Sequence, residues 1–114
     1  MEQRKVLCGA NSYEQKYYFN QEFRKLPEGI KEELQILCVT FTEDIGGILT
    51  LEYLEDGTLS LQVAADEADY LFDEIGSGLK IRQLQMEKRE LFETLELFYK
   101  VFFLGEKLNF DEEA

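Results

Sequence analysis

Two groups of carboxylates are the side chains in this sequence whose types and spacing could do chemistry. Asp66, Glu67, Asp69, Asp73 and Glu74 follow one another closely, and Glu43 stands beside Asp44. Paired carboxylates serve as general acid and base, or hold a divalent ion. On a helix, Asp66, Asp69 and Asp73 share one face at steps of three and four. That makes them weak candidates for holding Mg²⁺. The spacing is not that of a calcium loop, which needs alternate oxygen ligands around a central Gly. The plainer reading is a solvated face that favours the amino-terminal helix dipole, with no metal and no cofactor. Glu43 and Asp44 pose a different question, because carboxylates at a helix carboxyl end cost about 0.3–1 kcal/mol each. Either that helix stops near Phe41, or the two acids serve something outside it. Glu43, Asp44, Glu67, Asp69, Asp73 and Glu74 are therefore the candidates for contacting a partner.

The absences are sharper. There is no histidine. This removes the commonest general base, the Ser-His and Cys-His pairs, and most zinc and iron sites. The sequence has no Gly-x-Gly-x-x-Gly, P-loop or Gly-x-Ser-x-Gly motif. Cys8 and Cys38 are 30 positions apart in apolar surroundings, which reads as two buried thiols in a cytoplasmic protein. The reading leans away from an enzyme and names no catalytic residue.

Charge is segregated along the chain. Between Lys31 and Lys80 there is neither Lys nor Arg, and the interval holds the whole net charge of −12. Such patterning bears on partners rather than on fold. A pI near 4.4 argues against nucleic acid, which needs a basic footprint, and against an anionic membrane. The aromatic run Tyr13, Tyr17, Tyr18, Phe19 and Phe23 lies among Lys16, Arg24 and Lys25. It resembles a stacking platform only faintly, and core and rim is the better reading. Met1 is followed by Glu2, Gln3, Arg4 and Lys5 with no apolar run behind, so no secretory leader is expected.

These groups need elements to hold them. Val6-Leu7-Cys8 reads as a strand and Gly9 to Ser12 as a turn. Tyr17-Tyr18-Phe19 reads as a second strand, with a short helix capped by Ser12 and Gln15 as its rival. Pro27 opens a helix over 27–44, whose Ile30, Leu34, Leu37, Phe41 and Ile45 form one face. Ile36, Cys38 and Val39 add apolar bulk on its other sides, and Gly46-Gly47 ends it. A hairpin over 47–65 turns at Glu55-Asp56-Gly57. A three-residue loop with Gly57 left-handed sets Tyr53 opposite Leu59, Leu51 opposite Leu61 and Leu49 opposite Val63, which puts every large apolar side chain on one face.

Asp66 is expected to cap the helical region 66–104. Ala68, Leu71, Phe72, Ile75 and Leu79 form one stripe, and Leu84, Leu91, Leu95, Phe98 and Phe102 a second, roughly 170° away at about 100° per residue. A straight helix would run about 58 Å, against a domain diameter of about 34 Å from size scaling. Either it breaks near Gly76-Ser77-Gly78 and folds back, or it projects and a second copy buries its end. That end is apolar on all sides, so Leu91, Leu95, Phe98, Phe102 and Phe103 are candidates for self-association as well as for core. Residues 105–114 read as an acidic tail, with Leu108 and Phe110 packing back.

Three segments, LCGANSYEQKYYFN from Leu7, LPEGIKEELQILCVTFTEDIGGILTLE from Leu26 and LFDEIGSGLKIRQLQMEKRELFETLELFYKVFFLG from Leu71, resemble a small family of bacterial proteins of unknown function, mostly from gut-dwelling Firmicutes. The resemblance covers most of the chain. It implies a bacterial cytoplasmic protein and carries no assigned activity, cofactor or site. The expected architecture is one α+β domain over 1–104. Its small antiparallel sheet, the 47–65 hairpin plus the amino-terminal strands, is packed by helix 27–44 and the long or broken helices of 66–104. The expected function is a non-catalytic acidic interaction module, a homodimer that meets a basic protein partner. The alternative is a small metal-dependent or ligand-binding enzyme that uses the acidic cluster.

Overall fold

The computed structural model describes residues 4–105. It is an α+β fold. Strands β1 (Lys5–Asn11), β2 (Lys16–Phe19), β3 (Ile48–Tyr53) and β4 (Leu59–Ala64) form one sheet in the order β2-β1-β3-β4, with antiparallel neighbours throughout. Helix α1 (Glu28–Ile45) lies between β2 and β3, and α2 (Glu74–Glu87) and α3 (Arg89–Phe102) follow β4. The tail expected over 105–114 lies outside the described residues beyond Gly105, as do Leu108 and Phe110.

The hairpin has the expected register. Tyr53 faces Leu59, Leu51 faces Leu61 and Leu49 faces Val63, and Gly57 takes φ +91°. Only a residue without a β-carbon adopts that value readily. Across the sheet, Leu51 pairs with Cys8 and Leu49 with Ala10, so one continuous inner face results. Cys8, Leu49, Leu51 and Tyr53 are wholly buried there. The opposite face carries Tyr18, Thr50, Glu52 and Gln62, all exposed or half-buried, the division usual for an antiparallel sheet.

The amino-terminal strands depart from expectation in one respect. Gly9 does not begin a turn; it sits inside β1. A β-carbon there would stand 2.6 Å from the Leu49 carbonyl oxygen, so this glycine permits a close approach of backbones instead of a bend. The register also slips between Val6 and Cys8. That bulge lets the consecutive residues Leu7 and Cys8 both reach 0% exposure, which strict alternation forbids. The turn itself is built by Asn11, whose Oδ1 accepts from the N–H groups of Tyr13 and Glu14. Strand β2 forms where the Ser12-capped helix was its rival.

Helix α1 buries Leu34, Leu37, Cys38, Phe41 and Thr42 against the sheet, leaves Val39 half-buried and turns Ile36 out to solvent. Helix α3 completes the core with Leu91, Phe92, Leu95 and Tyr99. Its Tyr99 ring stacks on Tyr53 with centroids 4.3 Å apart. The Tyr53 hydroxyl donates to the Leu95 carbonyl at 2.8 Å, so the one polar atom that Tyr53 brings into the core is satisfied.

The helical region begins later than Asp66 and breaks elsewhere than at the glycines. Residues 65–73 form turns, and Asp73 is the cap of α2, its carboxylate accepting from the Gly76 N–H. Gly76 belongs to the first turn of α2, where a β-carbon would collide with the capping carboxylate. The break comes at Lys88, with φ −109° and ψ 28°. No helix breaker stands there. The kink reconciles two apolar stripes that point in opposite directions: α3 turns its stripe onto the sheet, and α2 keeps its own outside.

Candidate functional site

The acids of the interval between Lys31 and Lys80 are not isolated in space. Glu33 pairs with Lys88 at 3.1 Å, Asp44 with Lys80 at 3.5 Å and Glu52 with Arg4 at 3.2 Å. Each base comes from a flanking segment, so folding returns cations to part of the acidic stretch. Surface pairs of this kind contribute little to stability, about 0–1 kcal/mol each. They also answer the question at the end of α1. The helix does not stop near Phe41; it runs to Ile45, and Lys80 of α2 offsets the carboxylate that opposes the dipole.

The acids at 66–74 stay together, in the loop that joins β4 to α2. Their oxygens serve the loop's own backbone. Asp66 Oδ1 accepts from the Ala68 N–H at 2.9 Å, Asp69 Oδ1 from the Leu71 N–H at 3.2 Å and Asp73 Oδ1 from the Gly76 N–H at 2.9 Å. Tyr13 ties the loop to the β1–β2 turn: its hydroxyl donates to Asp69 Oδ2 at 2.6 Å and accepts from the Asp66 N–H at 3.0 Å. The bond to Asp69 holds the Tyr13 phenol above its ordinary pKa. Residues 66–73 are not helical, so Asp66, Asp69 and Asp73 do not share a helix face. Among the described residues no group of three acids or thiols is placed to hold a metal ion.

The loop forms one rim of a groove of about 1100 Å³ between β4 and α2. Leu61 and Val63 of β4 form its floor with Phe72, Asp66, Glu67 and Asp69 line the loop side, and Ile81 and Arg82 line the helix side. Strand β4 is an edge of the sheet. The hairpin bond from the Leu54 N–H to the Thr58 carbonyl sets the alternation of the antiparallel ladder. Leu59, Leu61 and Val63 consequently direct their backbone groups away from β3. The Leu59 N–H is covered, since it donates to Glu96 of α3 at 2.9 Å. Leu61 and Val63 turn theirs toward the groove. Sequence reasoning found the acids and the apolar strand but not this edge, because strand order is a property of the whole sheet.

Glu43 lies apart from this groove. It lines a separate hollow of about 660 Å³ with Asn11, Gln15, Lys16 and Thr42. Beneath it the Tyr17 hydroxyl is buried with no hydrogen-bond partner, and burial, with the thiols of Cys8 and Cys38 nearby, pushes its pKa far up. The two sulfurs lie 3.8 Å apart. Its contact with Cys8, together with burial, raises the Cys38 thiol far above the range of a reactive cysteine. The candidate aromatics do not form a platform: Phe23 is in the core, Tyr18 is exposed on the outer face, and Tyr17 and Phe19 point inward.

The five candidates for self-association separate. Leu91 and Leu95 are buried within their own subunit, and Phe98 and Phe103 pack partly against its core. Phe102 is 63% exposed. No helix among the described residues is long and apolar enough to cross a membrane.

Residues 4–107 match a protein family described only as a family of unknown function, DUF6145. No curated protein matches the chain, and no solved structure matches it.

Proposed function

The chain belongs to that family, which brings no activity with it, and we propose from the geometry that it is a non-catalytic interaction module whose β4–α2 groove takes an extended, basic segment of a protein partner. The observation that carries this reading is the coincidence of an open strand edge with a carboxylate rim. Strand addition supplies main-chain hydrogen bonds at Leu61 and Val63, and alternate side chains of the incoming segment meet the apolar floor. The acids at 66, 67 and 69 select lysine or arginine on that segment and speed its encounter. A bacterial cytoplasmic setting belongs to the same proposal. The buried thiols of Cys8 and Cys38 are free, the state that a reducing compartment maintains.

The test is fluorescence anisotropy with an alternating lysine–valine peptide. Binding is expected to weaken steeply with added salt, and to weaken in Val63→Pro. That substitution deletes an outward N–H without touching the β3 ladder. Affinity indifferent to salt and to Glu67→Gln overturns the reading. The alternative, a metal-dependent or ligand-binding enzyme, predicts a thermal shift with Mg²⁺ or Mn²⁺ that is lost in Asp69→Asn and Asp73→Asn.

A further inference from the structure

Helix α2 leaves more apolar surface in water than its own subunit explains. Of its 14 residues only Ser77 is buried. Ile75 is 79% exposed, Leu79 60% and Met86 78%. At about 100° per residue these three fall within about 40° of one another. They form one straight stripe on the side away from Ser77 and Leu84. Tyr70 and Leu71, just before the helix, are 90% and 94% exposed. Isolated exposed apolar residues need no explanation, but a stripe that continues along a whole helix does.

Charge indicates what covers it. The amino-terminal end of α2 carries Asp69, Asp73 and Glu74; the carboxyl-terminal end carries Arg82 and Arg89 beside Glu87, with Lys88 taken up by Glu33 of α1 and Arg89 paired at the surface with Glu93. Arg82, Met86 and Arg89 line one shallow depression, so the bases flank the stripe itself. Two such helices laid side by side in parallel would stack acid on acid and base on base. Laid antiparallel about a two-fold axis, each acidic end meets a basic end, and every contact is made twice. With the axis between Lys80 and Ile81, Ile75 lies opposite Met86 of the second copy, and Glu74 comes within about one turn of its Arg89, whose own partner Glu93 is an exposed surface pair of little worth. Leu79 then packs beside the aliphatic stem of Arg82 of the second copy.

We propose that α2 is the self-association surface of this protein, occupied by α2 of a second copy in an antiparallel two-fold contact. The alternative place for a dimer, the aromatic end of α3, is engaged in its own subunit apart from Phe102, Leu97 and Leu104. Its rings pack on Phe23, with the Phe103 centroid at 5.0 Å, and Phe102 stacks on Phe98 of the same helix at 4.5 Å. The contact adjoins the peptide groove at Ile75 and Arg82, which line both, whereas Leu79, Met86 and Arg89 lie outside it, so the variants that weaken the dimer are placed at Met86 and Arg89.

The experiment is sedimentation velocity on the full chain, from low to high micromolar concentration and without peptide. A concentration-dependent dimer is expected. Met86→Glu is expected to weaken it at least about tenfold, since it buries an unpaired carboxylate in the contact, while circular dichroism and thermal unfolding of the monomer stay unchanged. Arg89→Glu is expected to weaken the dimer, and the double variant Arg89→Glu/Glu74→Arg to restore it. Phe102→Glu is expected to leave it intact. A monomer throughout the range overturns the proposal. So does a dimer that ignores Met86→Glu, one that Phe102→Glu abolishes, or a charge swap that fails to restore. The peptide reading is judged separately by anisotropy on monomeric Met86→Glu, so failure of one does not imply failure of the other.

Discussion

Helices α2 and α3 are the same length, 14 residues each, and only Lys88 stands between them. One buries Leu91, Phe92, Leu95 and Tyr99; the other buries a serine. The sequence already separates them in part: α2 carries Gly76 and Gly78, poor helix formers, and spreads its apolar residues over two sides, whereas α3 gathers its own on one face. The capacity of the sheet completes the separation. Its inner face is covered by α1 and α3 except at the β4 edge, where Leu61 and Val63 stay half-buried beside α2, and the outer stripe of α2 is not taken up there. Two adjoining helices of one length thus differ in kind: the amphipathic one closes the core, and the other keeps Ile75, Leu79 and Met86 in solvent.

Substitution is the most direct way to test that contrast. Leu95→Ala is expected to cost about 2–5 kcal/mol of unfolding free energy, because it opens a cavity at a site with 0% exposure. Leu79→Ala, the same chemistry on α2, is expected to stay within about 0.5 kcal/mol in the dilute monomer. Equal costs in urea denaturation would erase the distinction.

The two buried tyrosines sharpen it within the core. Tyr53→Phe removes the second donor on the Leu95 carbonyl, which keeps its helical partner, and is expected to cost about 0.5–1.5 kcal/mol. Tyr17→Phe removes a buried hydroxyl that has no partner, and stability is expected to hold or rise by about 1 kcal/mol. The docking of α3 would then depend on a satisfied hydrogen bond and not on aromatic area alone.

Helix α2 is expected to respond locally. Asp73→Ala removes its cap, worth about 0.5–2 kcal/mol. Because α2 is so little packed, the loss is expected as faster amide exchange across its first turns with almost no change in the global unfolding midpoint. A large global shift would mean that α2 is part of the core after all.

The smallest effects are those of pH. Burial raises the phenols of Tyr53 and Tyr17 in the folded state. Their contribution is complete below the unfolded value of about 10 and is lost as pH climbs beyond it. Tyr53→Phe should flatten that alkaline decline in a series of denaturation curves. Asp56 behaves in the opposite sense. Hydrogen bonds from Thr58 lower its pKa, so its contribution is present above the ordinary carboxylate range and fades as pH falls through it. Asp56→Asn should reduce the acid sensitivity slightly.

Much of the fold is legible along the chain. The 47–65 hairpin can be read to the residue, because side-chain alternation and the single Gly57 position admit one register. The helix after Pro27 is equally plain from its period. The acids at 66–74 can be seen as a group, but their work cannot. A helical reading put Asp66, Asp69 and Asp73 on one face, whereas each carboxylate closes a turn in the loop. Asp and Asn compete with helix geometry in this way wherever a nearby N–H is free, and which outcome prevails depends on what the loop docks against. Here that is Tyr13, 56 positions from Asp69.

Composition and periodicity by themselves determined the helix after Pro27, the hairpin and its register, the acidic balance and the lack of imidazole chemistry. These are local quantities, set by side-chain identity and short-range spacing. Only the tertiary structure decided which strand is an open edge, which cations return to the acidic interval, and that the helical region bends at Lys88 and not at its glycines. Those outcomes depend on the order in which surfaces fill. The sheet can bury the apolar stripe of α1 and that of α3, and α2 carries what is left over.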